Sequence, residues 1–382
     1  MKFIINGASF AKNLQSISGV LTNNTTVPIL DHFHFQLKEE EGQMVLTVKA
    51  TDLETTMLIN IPLENAAIED IDTVAVPAKI LLDILKTFNE VPLTFTVSSN
   101  FAIEISSGDG KYRLAGQSAE TYPAMPEATE TTTTAFNSLT LVNAISKTLF
   151  ATSSDELRPQ MTGVLCEMTP ENITFVATDA HKLVRYRFLE TKADESSNFI
   201  LPKKPLNLLK NILSSNKEEL EICLKYNSTN AFFSFGDYHV VCRLIDGRYP
   251  NYDAAIPKEN PNKLVVDRNS FLNTIRRVSI FANQSTHQVR FSISNTEVII
   301  ASEDVEFSNE AKEKIPCSYE GTPLEIGFNS KFLIEMLSNV DSEQVVVEMS
   351  QPNRAGIISP LEAEENTKED ILMLVMPVIL AN

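Results

Sequence analysis

Six stretches of the chain share one pattern of apolar and polar positions. In each stretch a short apolar run is followed by apolar residues three or four positions apart, a spacing that places them on one face of an α-helix. The pattern predicts helices over residues 9–18, 78–88, 138–149, 203–213, 269–282 and 330–339. The core positions predicted for these helices are, in order, Phe10, Leu14 and Ile17; Leu81, Ile84, Leu85 and Phe88; Val142, Ile145 and Leu149; Leu206, Leu209 and Leu213; Phe271, Ile275 and Val278; and Leu333, Met336, Leu337 and Val340.

Between the predicted helices, apolar residues recur with a period of two. Phe101, Ile103 and Ile105 alternate with small or polar residues, as do Phe291 and Ile293, which is typical of half-buried β-strands. Helices start about every 60 to 75 residues and pairs of helices start about every 130, which indicates an internal repeat. We therefore predict an α+β fold of three repeated modules, each with two helices packed on antiparallel sheets.

Two polar stretches, residues 127–136 directly after Pro126 and residues 256–264 with two prolines of their own, fit the joints between modules. The first of them holds a run of threonines, which suits an extended connection. The predicted domains are an N-terminal module (1–127), a central module (128–256) and a C-terminal module (257–382).

Charge is distributed unevenly between the helices and the rest of the chain. The formal net charge is −18, yet the six helical segments hold ten of the 32 Lys and Arg residues and only two of the 50 Asp and Glu residues. An ordinary solvated helix face would carry Glu about as often as Lys, so the scarcity of Glu favours a basic binding surface. At about 100° per residue, seven basic side chains should lie opposite the apolar stripe of their own helix: Lys12, Lys79, Lys86, Lys147, Lys204, Arg276 and Lys331.

Cations spread over several helices suit contacts with DNA phosphates, which are independent of sequence and weakened by salt. The chain has no Trp and no helix-turn-helix, zinc-finger or RNP signature, so base reading is not predicted. The acidic remainder would repel DNA and confine it to the helices. The predicted DNA-binding residues are Lys12, Gln15, Lys79, Lys86, Lys147, Lys203, Lys204, Lys210, Arg276, Arg277 and Lys331.

The sequence also predicts a compartment. No apolar run is long enough to span a membrane, and the first ten residues lack the apolar core of a signal peptide. We therefore expect a cytoplasmic protein that has no membrane partner. Cys166, Cys223, Cys242 and Cys317 are far apart and form no CxxC pair, so we expect reduced thiols.

Two pairs of residues could carry chemistry. Asp179 and His181 have a spacing that could orient a proton shuttle. His32 and His34 would share one strand face and could bind a metal, but a third ligand is not evident. No nucleophile elbow or phosphate-binding loop accompanies either pair. We predict no catalytic residue, metal or cofactor, with a repeat-built enzyme or a scaffold unrelated to DNA as the alternative.

Eight segments, in order along the chain, resemble the β subunit of bacterial DNA polymerase III, the replicative sliding clamp family. They are TVPIL (26–30), ATDLE (50–54), VPAK (76–79), FVATDAHKLVRY (175–186), ILPKK (200–204), IDGRYPNY (245–252), EIGFN (325–329) and LVMPVIL (374–380). The resemblance covers essentially the whole chain. It implies a non-catalytic processivity factor, a homodimer that closes head to tail into a ring around duplex DNA and slides along it.

The resemblance further implies two different dimer surfaces, because a head-to-tail contact is heterologous. The first module would contribute Ile84, Lys111, Tyr112, Arg113 and Leu114. The third module would contribute Ile280, Phe281, Glu303, Asp304 and Glu306. A basic, aromatic surface against an acidic, apolar one would fix the orientation through charge, while the apolar area supplies most of the affinity.

Partner peptides of the family bind in a pocket beside the C-terminus, between the second and third modules. The resemblance implies that the DNA polymerase III α subunit, the clamp loader and repair polymerases compete for it through short apolar motifs. Methionines adapt their shape to such ligands, and a small apolar cleft accepts anchor side chains. The implied lining is Met161, Thr178, His181, Leu183, Pro250, Asn329, Phe332, Val375, Met376, Pro377 and Val378.

The chain departs from the family pattern at a few positions. Asn24 stands where an arginine is frequent, which removes one DNA contact. Ile379 replaces an arginine near the end, and Ala381–Asn382 extend the tail. Ala254 and Ala255 occupy positions where bulkier or charged residues are common. These departures predict a more open, less polar pocket with its own peptide preference.

Overall fold

The computed structural model describes residues 1–21, 26–190, 193–216, 218–361 and 368–380. Within these ranges, six α-helices lie where the apolar periodicity predicts them. They are α1 (Gly7–Ser18), α2 (Ala78–Leu85), α3 (Ser138–Thr148), α4 (Lys203–Ser215), α5 (Arg268–Ser279) and α6 (Ser330–Ser338). None of the described helices has the length and apolar character needed to cross a membrane.

Antiparallel strands fill the segments between the helices. The first third of the chain forms β1 (Lys2–Asn6), β2 (His32–Glu40), β3 (Gln43–Thr51), β4 (Thr55–Leu63), β5 (Ala66–Ala67), β6 (Thr73–Pro77), β7 (Pro92–Val97), β8 (Ala102–Ser107) and β9 (Gly110–Ala115). The middle third forms β10 (Thr132–Asn137), β11 (Gly163–Met168), β12 (Ile173–Thr178), β13 (Lys182–Phe188), β14 (Ser197–Pro202), β15 (Glu221–Tyr226), β16 (Asn230–Phe235) and β17 (Tyr238–Arg243). The last third forms β18 (Asn262–Asp267), β19 (Gln288–Ile293), β20 (Glu297–Asp304), β21 (Asn309–Pro316), β22 (Ser318–Glu320), β23 (Leu324–Asn329), β24 (Gln344–Met349), β25 (Gly356–Pro360), β26 (Glu369–Val375) and β27 (Pro377–Val378).

The starts of the helices repeat the module period. Asn6, Asn137 and Asp267 precede α1, α3 and α5, and each side-chain oxygen accepts a backbone N–H of the first turn, at 3.0, 2.8 and 2.7 Å. Such caps satisfy donors that the helix itself leaves free. Because the three caps stand about 130 residues apart, they mark the same point in each repeat.

The first compact unit comprises Met1–Val142 and Lys204–Leu244. It contains a five-stranded sheet in the order β5-β1-β7-β8-β9 and an eight-stranded sheet in the order β10-β15-β16-β17-β4-β3-β2-β6. Its core includes Phe10 of α1, which packs edge-on against Phe95 with ring centroids 5.4 Å apart, while Phe95 stacks on Phe3 at 4.9 Å.

The second compact unit comprises Asn143–Lys203 and Ile245–Asn382. Its sheets have the orders β21-β20-β19-β23-β27 and β14-β11-β12-β13-β26-β25-β24-β18-β22. Here Phe271 of α5 packs on Phe291, and Phe291 on Phe328, with ring centroids 5.4 and 5.6 Å apart. The four cysteines are unpaired thiols, as predicted.

The compact units follow the sheets and divide the middle third of the chain between them. Strand β17 pairs with β4 in the first unit, and β13 pairs with β26 in the second. Each large sheet therefore joins strands from two consecutive repeats. The predicted domain limits at residues 127 and 256 stay predictions, since the sheets do not divide the chain at the repeat boundaries.

Helix α3 differs from its predicted orientation. Its buried residues include Leu141, Ala144, Ile145 and Thr148, whereas Val142 is only half-buried. The small side chains of Ala144 and Thr148 let the helix pack closely, so the buried face is rotated from the stripe that the large apolar residues indicate.

A histidine of the first unit is held neutral by its surroundings. His34 lies on β2 with its ring 5.1 Å from that of Tyr122. Burial, with a contribution from the nearby Lys49 charge, lowers the pKa of His34 to about 4. Lys49 lies over the Tyr122 ring at 4.9 Å and donates to the Pro123 carbonyl at 2.8 Å, so its ammonium group is fixed in place.

This neutral histidine predicts acid sensitivity. Between its ordinary pKa of 6.5 and the folded value of about 4, the unfolded chain binds the extra proton, so stability falls as the pH falls. From pH 7 to pH 5, His34 should account for a loss of about 2 kcal/mol. Urea unfolding followed by circular dichroism should show a smaller pH-dependent loss in His34→Leu than in the unaltered protein. Equal losses in both proteins would contradict this assignment.

Candidate nucleic-acid interface and peptide-binding surface

Most of the predicted DNA-binding side chains are exposed. Lys12 and Gln15 extend from α1, Lys79 from α2, and Lys86 from the residue that ends α2. The exposed set continues on the later helices with Lys203, Arg276, Arg277 and Lys331. Among them, five were predicted to point away from the apolar stripe of their helix, and their exposure agrees with that orientation: Lys12, Lys79, Lys86, Arg276 and Lys331.

Lys147 is a correction to that prediction. Its residue is only 9% exposed, because the rotated buried face of α3 brings it to the edge of the core. Its ammonium group pairs with Asp341 and donates to the Asn339 carbonyl, 2.8 Å away, at the end of α6. A cation there stabilises the C-terminal end of the helix dipole.

Lys204 is a second, partial correction. Its side chain is 38% exposed, and its ammonium group lies 2.5 Å from an Asp52 carboxylate oxygen. It also donates to the Val20 carbonyl, 2.7 Å away, just beyond the end of α1. Two of the predicted phosphate ligands thus bind the ends of neighbouring helices, where acids neutralise them.

Two further cations are partly engaged. Arg277 makes two hydrogen bonds to the Glu313 carboxylate, at 2.5 and 3.1 Å, and this pairing lowers the pKa of Glu313. Both side chains stay open to solvent, at 57% and 36% exposure. Lys210 is half-buried on α4.

The contrast between Lys147 and Lys12 predicts opposite phenotypes. Lys147→Met leaves the Asn339 carbonyl without its donor and should lower the free energy of unfolding by about 1–3 kcal/mol. Lys12→Met should leave stability unchanged and weaken binding to duplex DNA. Thermal unfolding and fluorescence anisotropy with a DNA duplex measure the two effects. The reverse pattern would show that Lys147 is the phosphate ligand.

The sequence Ala-Thr-Asp occurs twice, and its first copy folds into a tight turn between β3 and β4. The Thr51 hydroxyl donates to the Thr55 carbonyl at 3.1 Å and accepts from the Leu53 N–H at 3.1 Å. Asp52 accepts the N–H groups of Glu54 and Thr55 at 3.1 and 2.7 Å. Leu53 takes a φ of 80°, in the left-handed region, because the turn closes within so few residues.

The second copy, between β12 and β13, repeats this geometry. The Thr178 hydroxyl donates to the Lys182 carbonyl at 2.7 Å and accepts from the Ala180 N–H at 3.2 Å. Asp179 accepts the N–H groups of His181 and Lys182 at 2.9 and 2.8 Å, and Ala180 has a φ of 75°. The internal repeat predicted from the sequence therefore extends to individual hydrogen bonds.

The second turn carries part of the predicted peptide surface. The exposed ring of His181 stacks on Phe332 of α6, with centroids 6.2 Å apart and planes 17° apart. The His181 carbonyl accepts the N–H of Met376 at 2.9 Å. Met376 is 41% exposed. The turn, the helix and the C-terminal segment thus meet at one apolar surface.

Other predicted lining residues form the floor of this surface or support it. Leu183 is buried in a cluster with Tyr249 and Leu374, next to the exposed Pro250. Met161, Thr178 and Val375 are also buried, while Pro377 and Val378 pair with β23. The Asn329 side chain instead caps α6 by accepting the N–H of Lys331 at 3.0 Å.

Neither pair of candidate catalytic or metal-binding residues forms a site. The Asp179 carboxylate binds backbone N–H groups of its own turn, whereas the His181 ring faces Phe332. Within the described residues, no group of three or more His, Cys, Asp or Glu side chains is placed to hold a metal ion.

The implied dimer surfaces lie at two sheet edges. On β9, Lys111 and Arg113 are exposed and lie 3.6 and 3.5 Å from Glu104, while Tyr112 packs edge-on against Phe88. Leu114 is 7% exposed in the single chain and pairs with Ile103, and its place in the dimer contact stays a prediction. Ile84 is half-buried on α2.

The opposite surface lies near the β20–β21 hairpin. Ile280 and Phe281 are 72% and 41% exposed, and Glu303 and Glu306 also face solvent. Asp304 is 3% exposed in the single chain and accepts the N–H of Glu306 within the turn, and its place in the dimer contact stays a prediction.

The sequence prediction also missed two side chains at this hairpin. Val305 and Phe307 are 77% and 70% exposed. Large apolar residues inside an otherwise acidic turn were the available signal for them.

The positions at which the chain departs from the family pattern are only partly described. Ala254 and Ala255 are exposed in a short 3-10 turn, and Ile379 is 85% exposed. Asn24, Ala381 and Asn382 lie outside the described residues.

Comparison with known proteins finds similarity over almost the whole chain. Models of the N-terminal, central and C-terminal domains of the DNA polymerase III beta subunit match residues 1–126, 135–251 and 253–378. The beta sliding clamps of Staphylococcus aureus and Synechococcus elongatus are each 27% identical to the chain, with at least 99% of both chains covered.

Solved structures show the same likeness. A Pseudomonas aeruginosa sliding clamp bound to griselimycin has a TM-score of 0.91 at 26% identity, and a Bacillus subtilis clamp has 0.90 at 25%, with both chains fully covered in each comparison. The three domain models match in order and together cover most of the chain. The chain therefore belongs to the DNA polymerase III beta subunit family.

Proposed function

We propose that two copies of this chain close head to tail into a ring that encircles duplex DNA and slides along it. As a sliding clamp, the chain is a processivity factor of the replicative polymerase and not an enzyme. The observation that carries the proposal is the exposure of cations on the helices of a chain whose net charge is −18. Phosphate contacts of this kind hold DNA without fixing a sequence or a position.

The proposed DNA contacts are the helical cations that do not bind a helix end, together with Gln15. They are Lys12, Lys79, Lys86, Lys203, Lys210, Arg276, Arg277 and Lys331. Lys147 and Lys204 bind helix ends and carboxylates instead, so they are not among the proposed contacts.

The proposed dimer contact joins the β9 edge of one chain to the β21 edge of its partner. Both strands are outermost in their sheets, so each has a row of backbone groups available for pairing. Lys111 and Arg113 would face Glu303 and Glu306, and the exposed Phe307 would supply apolar area. Opposite charges at the rim favour the correct orientation.

The proposed partner site is the surface around His181, Phe332 and Met376. Polymerase III α, the clamp loader and repair polymerases would dock there through short apolar segments. The griselimycin complex of the Pseudomonas aeruginosa relative supports ligand binding by clamps of this family. The predicted cytoplasmic location belongs to the same proposal, since bacterial DNA is replicated there.

Encirclement predicts a dependence on DNA topology. Once loaded, the protein should remain on a nicked circular plasmid in high salt and dissociate when the plasmid is cut, because a ring leaves DNA only at a free end. Gel filtration of the protein–DNA mixture before and after linearisation measures this retention. Equal retention on circular and linear DNA would rule out a topological link.

The partner site predicts a selective defect. Changing both Met376 and Pro377 to Ala should weaken griselimycin binding at least about tenfold, since it removes apolar contact area. The dimer should persist, as measured by light scattering. The matched control alters Met44 and Pro62 of the first unit. Unchanged affinity in the Met376–Pro377 variant would remove this surface from the proposal.

A further inference from the structure

We propose that Lys182 is a positioning residue for the peptide surface and that its buried ammonium group holds Phe332 in place against His181. The inference rests on the proposed peptide-binding function. It concerns a residue that lies beneath the surface on which peptides would dock.

Lys182 is enclosed by partners that suit a cation. Its side chain is 6% exposed, with the ammonium nitrogen 2.5 Å from a Glu335 carboxylate oxygen and 3.6 Å from one of Asp179. The same nitrogen lies 4.7 Å from the ring centre of Phe332 and 6.0 Å from that of Phe150. A buried ammonium is costly unless such partners surround it, so its position is narrowly defined.

This one side chain connects two walls of the surface. Glu335 and Phe332 belong to the same face of α6, three residues apart. His181 is the neighbour of Lys182 in the chain, and its carbonyl also accepts the Met376 N–H. The Lys182–Glu335 ion pair therefore connects α6 to the turn. The same cation attracts the π face of Phe332, the ring with which His181 stacks.

The first Ala-Thr-Asp turn shows whether Lys182 is needed for the second turn to fold. The equivalent turn at Thr51–Thr55 makes the same four hydrogen bonds, yet Thr55 stands where the second turn has Lys182. Glu54 likewise stands in place of His181. Because the turn forms without a buried lysine, the cation at position 182 is not needed for its backbone geometry.

A preorganised aromatic wall reduces the ordering that a ligand must impose when it binds. Without the charge, the Phe332 ring would be free to rotate away from His181. The expected consequence is weaker binding that results mainly from faster dissociation.

The test uses the full-length protein, griselimycin as the probe, and surface plasmon resonance. Lys182→Met, of similar length without charge, should weaken binding at least about tenfold. Lys182→Arg, which can pair with Glu335 and stack on the ring, should restore affinity to within about threefold of the unaltered protein. Lys263→Met, which removes an exposed ion pair with Glu348 in the same unit, is the matched control and should bind normally.

Glu335→Gln keeps the inference testable if Lys182→Met does not fold, because the Glu335 side chain is 45% exposed and tolerates the change. It should also weaken binding while the protein still folds, as checked by circular dichroism. Normal griselimycin affinity in Lys182→Met or, if that variant does not fold, in Glu335→Gln would overturn the inference while leaving the peptide site intact. Absence of griselimycin binding by the unaltered protein would overturn the peptide site itself, and the inference with it.

Discussion

Strand pairing between neighbouring repeats is the interaction on which both large sheets depend. In the first unit β17 pairs with β4, and in the second β26 pairs with β13, each beginning at an Ala-Thr-Asp turn. The N–H of Arg243 donates to the Glu54 carbonyl at 2.9 Å, as the N–H of Met376 does to that of His181. The backbone thus builds one junction twice, and only the side chains distinguish the copies.

The two junctions differ in the chemistry that they expose. At the first junction, the charged groups of Glu54 and Arg243 lie 3.6 Å apart and are exposed to solvent. The Asp52 carboxylate of this junction pairs with Lys204. At the second junction, the imidazole of His181 and the thioether of Met376 occupy the equivalent positions, and Lys182 is buried beneath them. An exposed ion pair adds little stability. Its charged groups are hydrated, however, and an apolar ligand would have to displace that water to bind there.

The sequence predicted the helices well because each apolar stripe follows from local spacing. The prediction that Lys147 is exposed was wrong because small residues form part of the buried face of α3. Their size gave no indication that Ala144 and Thr148 would be buried. The burial of Leu114 and Asp304 could not be predicted, because burial at a sheet edge follows from pairing between strands and not from local spacing. Glu335, whose carboxylate pairs with Lys182, lies 153 residues further along the chain, so no local pattern could indicate this contact. The resemblance supplied the peptide surface, which composition and periodicity alone could not locate.

The charged first junction bears on the number of partner sites that the proposed function allows. The backbone junction occurs twice per chain, but the Glu54–Arg243 pair keeps the first copy polar, so the proposed partner site uses only the second copy. A ring of two chains then has two partner sites in all, and all of its partners compete for them. Proteins that act in succession on the same DNA must exchange at those places, so the order of events depends on relative affinity and concentration.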